Sequence, residues 1–413
     1  MYGPLQGLRI VESASFIAAP ICGLHMLQLG ADVIRVDPIG GSFDYHRWPV
    51  SPNGDSFYWE GLNKGKRSVA IDLSRREGRD LLIRLATTTS GDGVFITNYP
   101  ADSFLGHSNL VAMRADMITV RVTGWASGKS ALDYTVNCAV GMPSMTGPES
   151  LGDEPVNHVL PAWDLLAGAH GAFSLLAAER YRTKTGIGQE ITVPLGEIAI
   201  STLGHLGQIA EVTASGMSRL RMGNDLFGAF GRDFMTQDKK RLMIAAITPK
   251  QWKALIAALN ITTEIYDLEC RLGASFAIDE GNRFKHRSVL YPLVERSIGE
   301  RNYGELAATF EKTGVCWGPY NNLKVALDTD PRLSADNPVL ANVEHPSGYR
   351  YLTPGSAVGF SGFKRSTPAR APILGEHTDE VLSSVLDFSN SQISRLHDLG
   401  IVGGTGSKVP AGI

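Results

Sequence analysis

Apolar residues in the first third of the chain form short uninterrupted runs separated by stretches with helical spacing. The runs are rich in β-branched residues and predict buried strands at residues 7–13, 31–37, 67–73, 93–98 and 117–124. Helical spacing predicts helices over residues 20–29 and 75–86, each between two of these strands. Strands that alternate with helices predict an α/β fold with a mostly parallel sheet covered on both faces.

Ligands of such sheets bind at the carboxyl ends of the strands. In this chain that edge contains four segments, residues 12–19, 37–47, 72–76 and 98–100, which we expect to line one cleft. The dinucleotide fingerprint GxGxxG is missing after the first strand, where ESASFIAAP stands. A classical NAD or FAD site is therefore disfavoured.

The second half of the chain predicts a smaller α+β unit at residues 225–325. Its signals are strands at 240–248 and 314–320 and a helix at 250–259. Before it, the segment 221–234 is rich in glycine and aromatic residues and predicts a loop that could close over a substrate. After it come a polar linker at 328–338, a helix that opens at 374–382, and a Gly-rich tail, 402–413, that we expect to be mobile.

One acid, Asp164, stands where an extended run ends and a long helical pattern begins. The free N–H groups and the dipole of a helix N-terminus favour an ionised carboxylate at that position. Two interpretations of Asp164 remain open from these residues. It is either the N-cap of the helix or a nucleophile held in a dry pocket.

Net charge, the lengths of the apolar runs and the cysteine spacing argue against several classes of function. A net charge of −3 over 413 residues gives no general attraction to nucleic acid or anionic membranes. No signal-type N-terminus and no window of about 18 apolar residues is present, so we expect a cytoplasmic protein that does not span a membrane. The cysteines, Cys22, Cys138, Cys270 and Cys316, lie far apart and are predicted to be core thiols of a reduced compartment.

Motifs for phosphate and metal binding are weak. The ten histidines show no metal-ligand spacing, so we expect no metal. The segment TGWASGKS has Thr123 where a P-loop requires glycine, and it predicts a polar turn after a strand. The basic run Lys64, Lys66 and Arg67 could face the phosphates of an anionic ligand or form a solvated surface.

Five blocks of the sequence resemble the family III CoA-transferases in order and spacing, and this family also contains the α-methylacyl-CoA racemases. The blocks are LQGLRIVESASFIAAPICGLHMLQLGADVIRVDPIGG, NKGKRSVAIDL, PAWDLLAGAHGAFSLLAAERYRTKTGIGQEITV, RMGN and LGEHTDEVL. The resemblance implies a Rossmann-like large domain made from residues 1–224 and 326–413, a small domain at 225–325, and an interlocked homodimer.

The resemblance also implies the chemistry. Asp164 would attack an acyl-CoA thioester, giving first a mixed anhydride and then an aspartyl-CoA thioester that passes CoA to an acceptor carboxylate. Coenzyme A is then part of the substrate, and no cofactor is bound permanently. By matching positions, CoA contacts are expected at Ile17, Ala18, Ile71, Asp72, Leu73, Ser74, Asn98, Tyr99, Pro100 and Asp133. Substrate contacts are expected at His46, Arg47, Gly228, Ala229 and Phe230.

One departure from the family pattern separates its branches. The racemases carry a histidine before the aspartate of an HD motif, because moving an α-proton between faces needs an acid and a base on opposite sides. Here that pair is Leu132 and Asp133, which favours a transferase. At Ile17, where the family often has Gln or Arg, only backbone N–H groups are left to stabilise an oxyanion.

The segments SFDYHRWP and VNHVLPAWD are most similar to the branch that moves CoA from one carboxyl group of 2-methylfumarate to the other. We therefore expect an intramolecular CoA transfer that acts as an isomerisation. The alternatives are an intermolecular transferase with a separate acid acceptor, a racemase, and a CoA- or nucleotide-binding protein in which Asp164 only caps its helix.

Overall fold

The computed structural model describes residues 1–406, and short strands and helices alternate along its first part, as predicted. The strands, in chain order, are β1 (Arg9–Ser13), β2 (Asp32–Pro38), β3 (Arg67–Ile71), β4 (Val94–Thr97), β5 (Ile118–Thr123), β6 (Gln189–Pro194), β7 (Phe230–Met235), β8 (Arg241–Ala246), β9 (Trp317–Pro319), β10 (Leu340–Glu344), β11 (Arg350–Pro354) and β12 (Val402–Gly403).

The α-helices range from one turn to 24 residues in length. They are α1 (Ala18–Gln28), α2 (Phe57–Asn63), α3 (Arg76–Thr87), α4 (His107–Met113), α5 (Asp133–Ala139), α6 (Met142–Met145), α7 (Ala162–Thr185), α8 (Leu195–His205), α9 (Gln208–Ser215), α10 (Pro249–Ala258), α11 (Thr262–Leu272), α12 (Glu280–Lys285), α13 (Arg287–Gly299), α14 (Tyr303–Thr313), α15 (Leu323–Thr329), α16 (Thr378–Leu386) and α17 (Asn390–Asp398). Within residues 1–406, none of them is long and apolar enough to cross a bilayer.

The central sheet has seven strands in the order β12-β3-β2-β1-β4-β5-β6. Strands β1 to β6 are parallel, and β12 joins the edge in the antiparallel sense. Helices α3, α16 and α17 share an apolar core with one face of the sheet, and α1 and α7 pack together against the other. Helices on both faces explain why the inner strands are apolar runs without polar alternation. The α/β prediction is confirmed.

The chain forms two compact units. The first contains residues 1–140, 159–211 and the chain from Pro331 onward; the second contains residues 141–158 and 212–330. Compared with the small domain predicted at 225–325, the second unit also takes in residues 141–158, 212–224 and 326–330. Long-range hydrogen bonds link the first two of these segments to each other: Arg221 Nη1 donates to the Thr146 carbonyl at 2.7 Å, and the Gly223 N–H donates to the Gly147 carbonyl at 3.0 Å. Apolar periodicity carries no signal for such bonds.

The second unit is built on the antiparallel sheet β7-β8-β9. The prediction of a loop over residues 221–234 is wrong from Phe230 onward, because Phe230 begins β7 and is fully buried in the core of this unit. Gly231 is needed for close packing: a Cβ at this position would lie 3.0 Å from the Ile244 carbonyl oxygen and 3.0 Å from the Leu226 side chain. The glycine that suggested a loop instead allows close packing of a strand.

The C-terminal segment contributes the last strand of the central sheet. Val402 and Gly403 form β12 and pair with Ile71 and Ala70 of β3, so the expectation of a mobile segment is wrong there. Residues 407–413, which the same expectation covered, lie outside the described residues.

The cysteine prediction is also corrected. Cys22 is buried, as expected of a core thiol, but Cys138, Cys270 and Cys316 are exposed. An apolar sequence neighbourhood did not distinguish these positions, because burial depends on which face of an element meets the core.

Five charged side chains form an ion cluster beside β1 and β2, and all of them are buried. The cluster contains Glu12, Arg35, Asp37, Asp44 and Lys66, three carboxylates against two cations. Arg35 contacts Asp37 at 2.7 Å and Glu12 and Asp44 at 3.2 Å each, and Lys66 Nζ contacts Glu12 at 2.8 Å. Buried charges are stable only when each has such partners.

This cluster settles the role of the basic run before β3. Lys66 is buried in the cluster, Arg67 pairs with Asp32, and Lys64 Nζ donates to the Gly61 carbonyl. These cations are engaged inside the fold, so neither a phosphate-binding face nor a solvated surface describes the run as a whole.

We predict that Arg35→Met lowers the free energy of unfolding of the first unit by about 3–5 kcal/mol, because it strands buried carboxylates without their cation. The measurement is chemical unfolding followed by circular dichroism. The matched control is Arg76→Met, which removes a solvent-exposed arginine 3.7 Å from Asp80 and should cost less than about 1 kcal/mol. Equal losses in the two variants would contradict a structural role for the cluster.

Candidate active site

The sheet reverses its strand order between β1 and β4. From β1 the chain builds outward through β2 and β3, and from β4 it builds outward on the other side through β5 and β6. Loops at such a switch point diverge and leave a crevice. Asn98, after β4, bridges to the loop after β1: its side chain accepts the Ser15 N–H at 3.3 Å and donates to the Ser15 carbonyl at 3.0 Å.

Two cavities of the first unit open at this crevice. The one that contains Asp164 has a volume of about 280 Å³ and is lined by Ser15, Phe16, Ile17, Ala18, Ala19, Asn98, Tyr99, Pro100, Val122, Thr123, Gly124, Gly128, Lys129, Ser130, Ala131, Leu132, Asp164 and Leu195. Its neighbour, of about 620 Å³, is lined by Ser15, Phe16, Pro38, Gly41, Ser42, Phe43, His46, Asn98, Tyr99 and Pro100. Sequence matching placed Ile17, Ala18, Asn98, Tyr99, Pro100 and His46 at the site, and the structure brings them to these two cavities.

Close packing of α7 on α1 places Asp164 beside the loop after β1. A Cβ at Gly168 would lie 2.0 Å from the Ile21 side chain and 2.9 Å from the Ala18 carbonyl oxygen. A Cβ at Gly171 would lie 3.1 Å from Cys22 Sγ. Only glycine permits this approach of the two helices. Asp164 therefore stands one turn before the tightest contact between α7 and α1.

The carboxylate that caps α7 belongs to Asp133. Asp133 Oδ2 accepts the N–H of Trp163 at 2.7 Å and that of Asp164 at 3.1 Å. Trp163 Nε1 also donates to Asn137 of the same short helix, α5, at 3.2 Å. The interpretation of Asp164 as the cap is therefore wrong. Its own carboxylate lies in the first turn of α7 and has no hydrogen-bond partner among residues 1–406.

Burial raises the pKa of Asp164 to about 7, and the negative charge of Asp133 adds to this effect. The positive charge of Arg47 acts in the opposite direction. The expectation that the helix N-terminus keeps Asp164 fully ionised is corrected, because Asp133 already occupies that N-terminus. Near neutral pH the Asp164 side chain exists in both forms, and the ionised form is the one that can act as a nucleophile.

Arg47 lies between two aromatic rings. Its guanidinium carbon is 5.5 Å from the centre of the Phe16 ring and 5.4 Å from that of Tyr58. Ser56 joins this arrangement to α2, since its hydroxyl donates to the Arg47 carbonyl and accepts the Trp59 N–H. Stacked guanidinium groups keep their N–H donors in one plane for a carboxylate.

The hydroxyl of Tyr58 is buried and has no hydrogen-bond partner in the described part of the chain. Burial raises the pKa of Tyr58, so the phenol keeps its proton at neutral pH. Its electrostatic neighbours include Arg47 and Asp164. This buried hydroxyl is therefore able to donate a hydrogen bond to the carboxylate of a bound ligand.

Other predicted contacts lie away from the two cavities. Four of them stand at the end of β3, which is separated from β1 by β2: Ile71 is its last residue, and Asp72, Leu73 and Ser74 follow it. Ile71 is buried and pairs with Val402 of β12, and Asp72 Oδ1 accepts the N–H and the hydroxyl of Ser74. None of the four lines either cavity. Asp133, the remaining expected CoA contact, instead accepts the N–H groups at the start of α7.

The predicted substrate loop lies in the second unit. Gly228 has a left-handed backbone with φ 78° and belongs to the turn before β7. Ala229 and Phe230 are buried in that unit. Phe230 is a core residue, so its assignment as a substrate contact is corrected.

Some residues that line the Asp164 cavity were not predicted from the sequence. The segment read as a plain polar turn, TGWASGKS, contributes Gly124, Gly128, Lys129 and Ser130 to the Asp164 cavity, and Leu132 follows it. The position of this segment could have indicated its role, because it follows the carboxyl end of β5, the strand beside β4 at the switch point. Tyr58 was also missed, because an aromatic residue alone does not indicate a site, whereas Phe16 lies in the segment 12–19 that was expected to line the cleft.

The matches to known proteins agree with this geometry. A family model described as CoA-transferase family III matches residues 5–378. The chain belongs to CoA-transferase family III. The resemblance that the five sequence blocks predicted is confirmed.

Members of family III include relatives similar over nearly the whole chain. A protein of Chloroflexus aurantiacus named 2-methylfumaryl-CoA isomerase is 48% identical, covering 98% of this chain and 99% of its own. A Haloarcula marismortui protein named succinyl-CoA:mesaconate CoA-transferase is 26% identical over 92% of this chain and 96% of its own. The crystal structure of a CAIB/BAIF family protein from Brucella suis superposes with a TM-score of 0.74 at 27% identity, covering 93% of this chain and all of that one.

We expect Asp164 to act as the nucleophile in its ionised form, and we therefore predict that kcat/KM for the acyl-CoA substrate rises with pH through a midpoint near 7. In Asp133→Asn the midpoint should move to lower pH, since the variant removes the negative charge beside Asp164 while its amide oxygen still accepts the N–H groups of α7. The measurement is a pH profile of initial rates. Asp80→Asn, an exposed change on α3, is the control and should leave the midpoint in place. A midpoint that stays unchanged in Asp133→Asn would contradict the assignment.

Proposed function

We propose that this protein catalyses intramolecular CoA transfer between the two carboxyl groups of 2-methylfumarate, converting the C1 thioester into the C4 thioester. One observation carries the proposal: Asp164 presents a carboxylate without a hydrogen-bond partner in the described residues to a cavity at the switch point. The similarity to the Chloroflexus aurantiacus protein named 2-methylfumaryl-CoA isomerase supports the choice of substrate.

In the proposed reaction, the Asp164 carboxylate attacks the thioester carbonyl. The C–S bond breaks, leaving a mixed anhydride and the CoA thiolate. The thiolate then attacks the aspartyl carbonyl, which forms an aspartyl-CoA thioester and releases the acid as a dicarboxylate. The other carboxylate of the acid attacks the carbonyl of this thioester, whose C–S bond breaks to give a second mixed anhydride and the CoA thiolate. The thiolate then attacks the C4 acyl carbonyl, and the anhydride C–O bond breaks to give the C4 thioester and free Asp164. Covalent catalysis thus divides one difficult transfer into smaller steps.

The crevice offers the groups that these steps need. We propose that CoA runs along the two cavities past Ile17, Ala18, Asn98, Tyr99 and Pro100. No hydrogen bond within residues 1–406 occupies the Ile17 and Ala18 N–H groups, so they are suited to stabilise a developing oxyanion.

Intramolecular transfer requires that the free acid stays bound while it presents its second carboxylate. Arg47, fixed between Phe16 and Tyr58, is suited to hold a carboxylate, and the unpaired Tyr58 hydroxyl supplies a further donor. His46, in the neighbouring cavity, adds a polar group. A dicarboxylate held by these groups stays close to Asp164.

The runner-up is an intermolecular transferase with a separate acid acceptor, as the name of the Haloarcula marismortui relative describes for that protein. A racemase is less well supported, since no histidine and no second carboxylate is among the described residues that line the Asp164 cavity. A second proton carrier would have to stand there.

We also propose an interlocked homodimer that acts in the cytoplasm. Large apolar side chains in the region of α7 and α8 are exposed in the single chain. Phe173 of α7 is 56% exposed, and Leu206, the residue that follows α8, is 66% exposed. Exposed apolar surface of this kind marks a protein contact. The four cysteines, none in a disulfide within the described chain, suit a reducing compartment.

Labelled free 2-methylfumarate separates the two transferase mechanisms. With purified protein and the unlabelled C1 thioester, we predict that the C4 thioester forms without label from the buffer, because the bound acid does not exchange during turnover. The measurement is liquid chromatography with mass detection of both thioesters over time. Asp164→Ala, which lacks the nucleophile, should give no product.

Label entering the C4 thioester at the rate of product formation would favour the intermolecular mechanism. Undiminished turnover by Asp164→Ala would contradict the covalent role of that residue.

A further inference from the structure

The loop between β1 and α1 contains a conformation that its residue does not favour. Phe16 has φ 71°, in the left-handed region, where a side chain with a Cβ is strained. The Phe16 ring lies against Arg47, and Phe16 lines the cavity of Asp164. Strain of this kind persists only where the surroundings fix the backbone.

Asp44 supplies that constraint. Its Oδ2 accepts the Phe16 N–H at 3.0 Å, and its side chain is buried. Its main-chain carbonyl accepts the Arg47 N–H at 3.2 Å. One residue therefore holds both partners of the Phe16–Arg47 contact.

Asp44 is itself fixed by Arg35, whose Nη2 lies 3.2 and 3.3 Å from its two carboxylate oxygens. Arg35 belongs to the ion cluster of the sheet and has no exposed surface. The position of the loop is thus set by a rigid element and not by the loop alone. Such support is what keeps a functional group within a fraction of an ångström of its working position.

We propose that Asp44 is a positioning residue of the active site: it holds Phe16 in the left-handed conformation, and so keeps the Phe16 ring and the Arg47 guanidinium together beside Asp164. Its carboxylate touches no substrate and takes part in no bond-making step. The catalytic consequence rests on the proposed CoA transfer, whereas the hold on Phe16 does not.

Removal of the Asp44 carboxylate leaves a balanced cluster. In Asp44→Ala, Glu12 and Asp37 still face Arg35 and Lys66, two carboxylates against two cations. This balance favours a folded variant. Asp44→Asn keeps an oxygen that accepts the Phe16 N–H, and it therefore tests the hydrogen bond separately from the charge.

The test combines hydrogen exchange with steady-state kinetics on the full-length protein. In Asp44→Ala we expect the Phe16 amide to exchange at least about tenfold faster, read from peptides that span residues 14–19 by mass spectrometry. We expect kcat to fall about 10- to 100-fold with KM within about threefold, because the reacting groups are misplaced while substrate contacts remain. Asp44→Asn should restore slow exchange and bring kcat to within about threefold of wild type.

Asp32→Ala is the matched control, since Asp32 pairs with Arg9 and Arg67 at the opposite end of β2 and contacts neither Phe16 nor Arg47. It should lower the unfolding midpoint while leaving the exchange of Phe16 and kcat within about threefold of wild type. Protected exchange and unchanged kcat in Asp44→Ala would overturn the proposal, as would equal losses of kcat in Asp44→Asn and Asp44→Ala. If the wild type shows no turnover, the proposed reaction fails, and the exchange comparison alone decides whether Asp44 holds Phe16.

Discussion

Arg35 crosses from β2 toward β1 without access to solvent, and three carboxylates converge on its guanidinium. Such a cluster gains little stability over an apolar core, because each charge must first lose its water. Its geometry, however, allows few alternatives, since every partner must stay in place for the others to remain satisfied. The cluster joins β1, β2 and the turn that contains Asp44, and these elements carry the loop beside Asp164.

Two carboxylates share the start of α7 and have different tasks. Asp133 accepts the N–H groups of Trp163 and Asp164, so it satisfies the helix end. Asp164 is thereby left without that stabilisation, and burial next to a like charge raises its pKa. A carboxylate that is neither capped nor paired is more reactive than one held by several donors, and the positive charge of Arg47 favours the ionised form of Asp164. In the proposed reaction, this capping arrangement would leave the Asp164 carboxylate available to attack the thioester.

Much of the fold was predictable from the sequence because its signals are local. Apolar runs and helical spacing indicated β1 to β5 and the helices α1 and α3, but not the short helices α2 and α4. The order of strands placed the loops of Ser15 and Asn98 at one edge. The predictions that were wrong concern residues whose roles depend on contacts with distant parts of the chain. From the sequence, the N–H groups at the start of α7 could donate to Asp164 or to an acidic residue elsewhere in the chain. Only the fold shows that they donate to Asp133. Gly231 resembled a loop residue, although it serves close strand packing, and the basic run around Lys66 is neutralised by a glutamate 54 positions away.

The central claim is that Asp164 becomes covalently linked to the transferred group. The most direct measurement is mass spectrometry of the protein after incubation with the C1 thioester and rapid trapping with hydroxylamine. The account predicts a hydroxamate on the peptide that contains Asp164, dependent on the acyl-CoA and absent from Asp164→Asn. A wild-type enzyme that turns over with no modification at Asp164, or with the modification at another residue, would contradict it.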